Sequence, residues 1–110
     1  YRWKLQELAE PYCKEHNIEL VVKDADTASL ASLGAPVDMM LIDSLHKADH
    51  MKKELELHGV SVNKYIIAHD TFVNQSLHQC LENWCNDNRA WKVHERGTVN
   101  VGYTVLKKNA

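Results

Sequence analysis

The chain has 110 residues, 45% of them hydrophobic and 25% charged, with a formal net charge of −2 at pH 7, which is the composition of a single globular domain over residues 1–110. This charge balance excludes the basic surface typical of nucleic-acid-binding proteins, and no apolar stretch approaches the roughly 20 residues that a bilayer span needs. The three cysteines (Cys13, Cys80 and Cys85) are odd in number and form no C-x-x-C pair, so we predict free thiols in a soluble, cytoplasmic protein.

The N-terminal part of the chain predicts alternating helices and strands. Apolar residues recur at helical spacing over residues 3–16, which indicates an amphipathic helix. Residues 18–22 form a short β-branched run that predicts a strand, and a short helix is expected from Thr27, a possible N-cap, through Leu33. Residues 37–42 are apolar almost throughout, which is typical of a strand buried on both faces of a parallel sheet.

The C-terminal part continues this alternation and ends in a hairpin. The predicted elements are a helix over residues 47–58, a strand over 65–68, a helix over 74–86 and two antiparallel strands over 91–95 and 99–106. Gly59 is the predicted C-cap of the first of these helices, and Arg96-Gly97 is the predicted hairpin turn. The order predicts an α/β fold with a mostly parallel sheet built of right-handed crossovers, to which the closing hairpin adds an antiparallel edge.

Polar residues follow three of the predicted strands at the point where each strand ends. These residues are Asp24 and Asp26, then Asp43 and His46, then His69, Asp70 and Thr71. In open α/β sheets, ligands bind beyond the carboxyl ends of the strands. The spacing therefore predicts a polar site at this edge of the sheet.

Three segments of the sequence resemble those of a known family. They are VDMMLIDSLH at residues 37–46, KYIIAHDT at residues 64–71 and NVGYTVL at residues 100–106. Together they resemble the C-terminal part of a class I S-adenosylmethionine-dependent methyltransferase domain, in the branch of small-molecule O-methyltransferases and antibiotic-tailoring enzymes. The resemblance implies a Rossmann-like three-layer sandwich and covers roughly residues 5–107.

The sequence departs from this family in its cofactor-binding half. The family holds S-adenosylmethionine mainly through a glycine-rich loop after its first strand, whereas this chain has only four glycines and no G-x-G. Residues 18–22 resemble the family's third strand, so the domain is interpreted as truncated at its N-terminal half. By resemblance, Asp24 and Asp26 would lie near the adenine, and Asp43 is a further candidate for cofactor binding.

The resemblance also implies a divalent-cation site. In metal-dependent members, an acidic residue at the place of Asp43 and two adjacent residues after the next strand bind the cation; these last positions match His69 and Asp70. Mg²⁺ or Mn²⁺ is the expected ion, and a histidine ligand would favour Mn²⁺, Fe²⁺ or Zn²⁺ over Mg²⁺. The alternative is that His69 and Asp70 only form hydrogen bonds with loop amides at a strand end.

His46 is the candidate catalytic base. In the related catechol O-methyltransferases a lysine three residues after the acidic ligand takes the proton of the substrate hydroxyl, and a histidine titrates in the range suited to this task. The alternative is a polar residue at a helix start. His46 and His50 also form an H-x-x-x-H pair that a zinc site could use, although a solvated helix face explains the pair as well.

These observations leave more than one function open. The resemblance implies that the complete domain transfers a methyl group from S-adenosylmethionine to an oxygen of a small molecule or sugar. The alternatives are a non-catalytic, oligomerising α/β module derived from such a domain, and a simple metal-binding protein. Because the truncated sheet would have an open apolar edge, we also predict a homodimer or an N-terminal partner segment that covers it.

Overall fold

The computed structural model describes residues 10–17, 36–42 and 47–109, and the predicted strand at 18–22 and helix at 27–33 lie outside these ranges. The described elements are β1 (Val37–Ile42), α1 (Ala48–His58), a 3₁₀ turn (Gly59–Ser61), β2 (Val62–His69), α2 (Gln75–Asp87), β3 (Trp91–Gly97) and β4 (Tyr103–Lys108), and residues 10–15 are helical. Among the described helices, none is long and apolar enough to cross a membrane.

The four strands form one mixed sheet in the order β1-β2-β4-β3. β1 and β2 are parallel, whereas β4 is antiparallel to both of its neighbours. The molecule is therefore a small α/β domain, as predicted, with a closing hairpin. The closing hairpin adds an antiparallel edge to the sheet, as predicted, but only the β1–β2 pair of the described strands is parallel, so the predicted mostly parallel sheet is found only in part. Within the hairpin, β4 is inserted between β2 and β3. The burial pattern gives the reason: Leu106 of β4 is fully buried, whereas β3 exposes most of its charged side chains and suits an edge.

The described core lies on one face of the sheet. Both α1 and α2 pack there because they connect strands that run in the same direction, and such crossovers place their helices on one side. The fully or nearly buried residues are Ile42, Met51, Leu55, Val62, Ile66, Ala68, Leu77, Leu81, Trp84, Cys85, Trp91 and Leu106. Leu77, Leu81 and Trp84, which recur at helical spacing along α2, all belong to this core.

The opposite face of the sheet is much less buried. Met39 is 55% exposed and Leu41 63% exposed, although both belong to the apolar run of β1. Their neighbours Met40 and Ile42 point to the helices, as the two-residue period of a strand requires. The prediction that residues 37–42 are buried on both faces is therefore wrong: β1 buries only the face that α1 and α2 cover.

Gly59 lies at the end of α1, as predicted for a C-cap, but it keeps helical backbone geometry with φ −57°. The chain continues through the 3₁₀ turn directly into β2. A Cβ atom at this position would lie 2.8 Å from Cζ2 of Trp84, so glycine permits the close approach of α2 to the end of α1.

The hairpin turn differs from its prediction. Arg96 and Gly97 still belong to β3, and the connection to β4 is formed by residues 98–102. Asn100 and Gly102 supply the positive φ angles of this connection, 57° and 78°. Asparagine and glycine are the residues that adopt this region most readily, so the turn uses them instead of the Arg-Gly pair.

Candidate functional site

The predicted site residues divide between the described and undescribed parts of the chain. His69 is the last residue of β2 and Asp70 follows it directly. The carboxyl ends of β1 and β2 lie side by side, since Ile42 is the register partner of Ala68. The other candidates, Asp24, Asp26, Asp43 and His46, lie outside the described residues.

The backbone of Asp70 is held in an unusual conformation. Its φ angle is 64°, in the left-handed region that aspartate tolerates better than most residues. Its N–H group donates to the carbonyl of Gly102 at 3.0 Å, and its carbonyl accepts from the N–H group of Asn74 at 3.0 Å. The Asp70 side chain is only 10% exposed, so the carboxylate has a fixed place where β2 ends.

The loop after β2 is joined to the loop between β3 and β4. The N–H groups of Phe72 and Val73 both donate to the carbonyl of Val101 at 3.0 Å. Gly102 allows this contact, because a Cβ atom there would overlap with Phe72 and lie 2.7 Å from the carbonyl oxygen of Gly97. The rigid β3–β4 connection thus sets the position of the segment that carries Asp70.

The phenol side chain of Tyr103 lies next to His69 on the face of the sheet that the helices leave open. Tyr103 is the antiparallel register partner of His69. The Tyr103 hydroxyl donates to the carboxylate of Glu95 at 2.5 Å, and this hydrogen bond, with the carboxylate's negative charge, raises the pKa of Tyr103. The phenol therefore stays protonated at neutral pH and acts as a hydrogen-bond donor rather than as a base.

His69 and Asp70 have the spacing of two ligands of one metal ion. Nδ1 of His69 lies 3.3 Å from Oδ2 of Asp70. At metal–donor distances of about 2.1 Å, adjacent ligands are separated by about 3.0 Å in octahedral and 3.4 Å in tetrahedral geometry. The same spacing fits an ion pair when His69 is charged. Within residues 10–17, 36–42 and 47–109, no group of three His, Cys, Asp or Glu side chains could hold an ion, so the third protein ligand expected at Asp43 lies outside the described part.

The described residues do not fit S-adenosylmethionine in the way that a glycine-rich loop does. Each of the three described glycines faces an aromatic side chain where its Cβ would be: Gly59 faces Trp84, Gly97 faces Tyr103 and Gly102 faces Phe72. Their lack of a side chain serves internal packing and opens no cradle for a ligand.

A group of buried polar residues behind the site was missed from the sequence. Thr71 and Thr104 are fully buried and His78 is 7% exposed; they form a hydrogen-bonded chain that ends at Glu82. The H-x-x-x-E spacing of His78 and Glu82 was a usable signal, since residues four apart share a helix face. Nothing in the sequence indicated that two threonines from distant segments meet this histidine.

Comparison of the chain with protein-family models, with curated proteins and with solved structures finds no match.

Proposed function

We propose that the chain is the C-terminal part of a Rossmann-like, three-layer methyltransferase domain. In its complete form the domain transfers a methyl group from S-adenosylmethionine to an oxygen of a small molecule or sugar. The observation that carries the proposal is the pair His69 and Asp70, held at the carboxyl end of a strand that runs parallel to its neighbour. Ligands of open α/β sheets bind at such ends.

The arrangement of the strands supports the same proposal. β3 runs in the direction of β1 and β2, because β4 is antiparallel to both β2 and β3. Three of the four described strands therefore run in one direction, and residues 100–106, which resemble the closing strand of the methyltransferase domain, include most of the reversed strand β4. The proposed third layer would cover the exposed face of Met39 and Leu41.

The role that fits the described residues is binding of the methyl acceptor. A divalent cation held by His69, Asp70 and Asp43 would stabilise the negative charge of an acceptor oxygen. His46 is the proposed base that removes the hydroxyl proton. Methyl transfer depends mainly on alignment, and the fixed backbone of Asp70 suits a positioning role.

Calorimetry with the purified chain tests the function. We expect Mn²⁺ to give binding heat, whereas S-adenosylhomocysteine and S-adenosylmethionine should give none with this part of the domain alone, because its described glycines open no cradle for the cofactor. Cofactor heat would support a methyltransferase that functions independently, whereas an absence of heat with Mn²⁺ itself would contradict the proposal. The second candidate, a non-catalytic oligomerising module, would then be favoured by the packed glycines and the exposed apolar face.

The metal site is tested with Asp70→Asn, since asparagine tolerates the positive φ of this position and removes only the charge. We expect Mn²⁺ affinity to fall by at least about tenfold, the lower limit for loss of an outer-shell partner. Asp87→Asn, at the far end of α2, is the matched control and should leave the affinity unchanged. Equal Mn²⁺ affinity in both variants, measured by calorimetry, would remove Asp70 from the site.

A further inference from the structure

A continuous chain of polar atoms crosses the core from the surface of α2 to the loop after β2. Oε1 of Glu82 lies 2.6 Å from Nε2 of His78, and Nδ1 of the same ring lies 2.9 Å from Oγ1 of Thr104. Oγ1 of Thr104 in turn lies 2.7 Å from Oγ1 of Thr71. The Glu82 side chain is 46% exposed, whereas the two threonines are fully buried. The row of hydrogen-bonded side chains thus joins the surface carboxylate of Glu82 to Thr71, the residue that follows Asp70.

The hydrogen atoms along this row of hydrogen-bonded side chains can be placed in two consistent arrangements. Each threonine hydroxyl carries one hydrogen, and Nε2 of His78 needs its hydrogen to donate to Glu82. When His78 is neutral, Nδ1 is an acceptor, so Thr104 donates to His78 and Thr71 donates to Thr104. When His78 is charged, Nδ1 donates to Thr104 and Thr104 donates to Thr71. The hydrogen of Thr71 then points away from Thr104.

We infer that His78 is a protonation switch that sets the direction of the Thr104 and Thr71 hydroxyls and so transmits pH from the surface of α2 to the loop after β2. Histidine is the side chain whose ordinary titration falls between about pH 5 and 8. The His78 residue is only 7% exposed and its ring lies within hydrogen-bond distance of both partners, so a change of its charge reverses the hydroxyls. The inference does not depend on methyl transfer or metal binding.

The charged groups around the switch belong to three elements. Glu82 lies on α2 with His78 and stabilises the charged ring. Arg96 on β3 is the register partner of Thr104 and donates to the side chain of Gln75 at 2.5 Å. Asp70 directly precedes Thr71 at the end of β2. Of these groups, the Glu82 carboxylate lies in direct contact with the His78 ring.

Nuclear magnetic resonance of the intact chain tests the switch. The nitrogen shifts of the His78 ring report its charge, and the amide shifts of Thr71, Phe72 and Val73 report the loop. We expect the loop amides to change with the same midpoint as His78 as pH is varied. The amide of Val60, an exposed residue outside the switch, serves as the reference for general pH effects. Loop amides that do not follow His78, or a His78 that keeps one charge between pH 5 and 8, would overturn the inference.

Two substitutions of Thr104 separate hydroxyl transmission from a simple charge effect. Thr104→Val keeps the shape and removes the hydroxyl, so His78 should still titrate while the loop response is lost. Thr104→Ser keeps the hydroxyl and should keep the response. A loop response of equal size in Thr104→Val would overturn the inference.

A third substitution keeps the inference testable if Thr104→Val does not fold. Glu82→Gln changes only a half-exposed side chain and removes the negative charge that faces Nε2 of His78, and the loop response should follow any resulting change in the charge of His78. A loop midpoint that stays in place while that of His78 moves would also overturn the inference.

Discussion

At the scale of single residues, Gly102 has the largest local effect on the candidate site. Its φ of 78° and the absence of a Cβ both allow the β3–β4 connection to reach Phe72 and to accept the Asp70 N–H hydrogen bond. The backbone of residue 70 is thus tied to the backbone of residue 102. The polar rim is built by two loops that are 30 residues apart in the chain and adjacent in space.

We expect Gly102→Ala to destabilise the protein by about 1–3 kcal/mol or more, since a side chain there is strained by its φ and overlaps with Phe72. Urea denaturation measures the change. Asn100→Gly is the matched control in the same loop, because glycine adopts its positive φ without strain, and it should be neutral or stabilise by up to about 1 kcal/mol. An equal loss in both variants would show that the loop as a whole, and not the Gly102 contact, is sensitive.

Cys85 shows how burial controls reactivity. Burial, and secondarily the negative charge of Glu82, raises the pKa of the Cys85 thiol from 9.0 to about 11. The thiolate is the reactive form, so at pH 8 we expect folded Cys85 to react about 100-fold more slowly with a thiol reagent than an ordinary cysteine. The rate at which folded Cys85 reacts should rise with pH until about pH 11.

The same shift has a consequence for stability. The folded state keeps the Cys85 proton between pH 9 and about 11, where the unfolded chain loses it, so this group's contribution to stability falls as pH rises through that window.

Mass spectrometry of labelled peptides measures the rate at which the thiol reagent modifies Cys85, with the denatured chain as the reference. Modification of Cys85 at the same rate in folded and denatured protein would contradict the assignment.

At the scale of elements, β1 presents two different faces to its surroundings. Ile42 is 4% exposed and packs under the helices, whereas its neighbour Leu41 is 63% exposed on the other face. A strand with one apolar face covered and one apolar face open needs a second layer to bury the remaining area. The apolar sequence of β1 therefore contains more hydrophobic surface than the described helices cover.

Truncation to alanine should lower the stability of the protein by different amounts on the two faces of β1. Ile42→Ala should destabilise the chain by about 2–5 kcal/mol because it leaves a cavity in the core. Leu41→Ala, the adjacent control with a related aliphatic side chain, should change stability by only about 0.5 kcal/mol, as exposed positions do. Urea midpoints of the two variants give the comparison. A similarly large loss at both positions would mean that the open face is covered in solution.

At the scale of the whole molecule, the described helices cover only one face of the sheet. We therefore expect copies of the protein to associate through the other face. We expect light scattering to report a homodimer, since an exposed apolar strand and sheet face associate readily in water. Leu41→Lys places a charge on the open face and should shift the mass toward the monomer. The control is Val93→Lys, an exposed apolar position on β3 at the opposite edge, which should leave the mass unchanged. A stable monomer of the unaltered chain at high concentration would contradict the prediction.

Local patterns determined most of the described elements. Val37–Ile42 was predicted to the residue, and α1 and α2 were each placed within one residue, because their apolar spacing, punctuating glycine and bounds all depend on neighbouring residues. The juxtaposition of the strand ends that carry His69 and Asp70 followed from the parallel order of β1 and β2.

Only the tertiary structure decided how distant segments meet. The insertion of β4 between β2 and β3 depends on competition among strand pairings, which no local pattern records. The exposure of Met39 and Leu41 depends on which face the helices cover, and the contact of Thr71, Thr104 and His78 joins three elements from different parts of the chain. A one-dimensional pattern gives the period of burial, whereas the partners that bury a residue are fixed by three-dimensional packing.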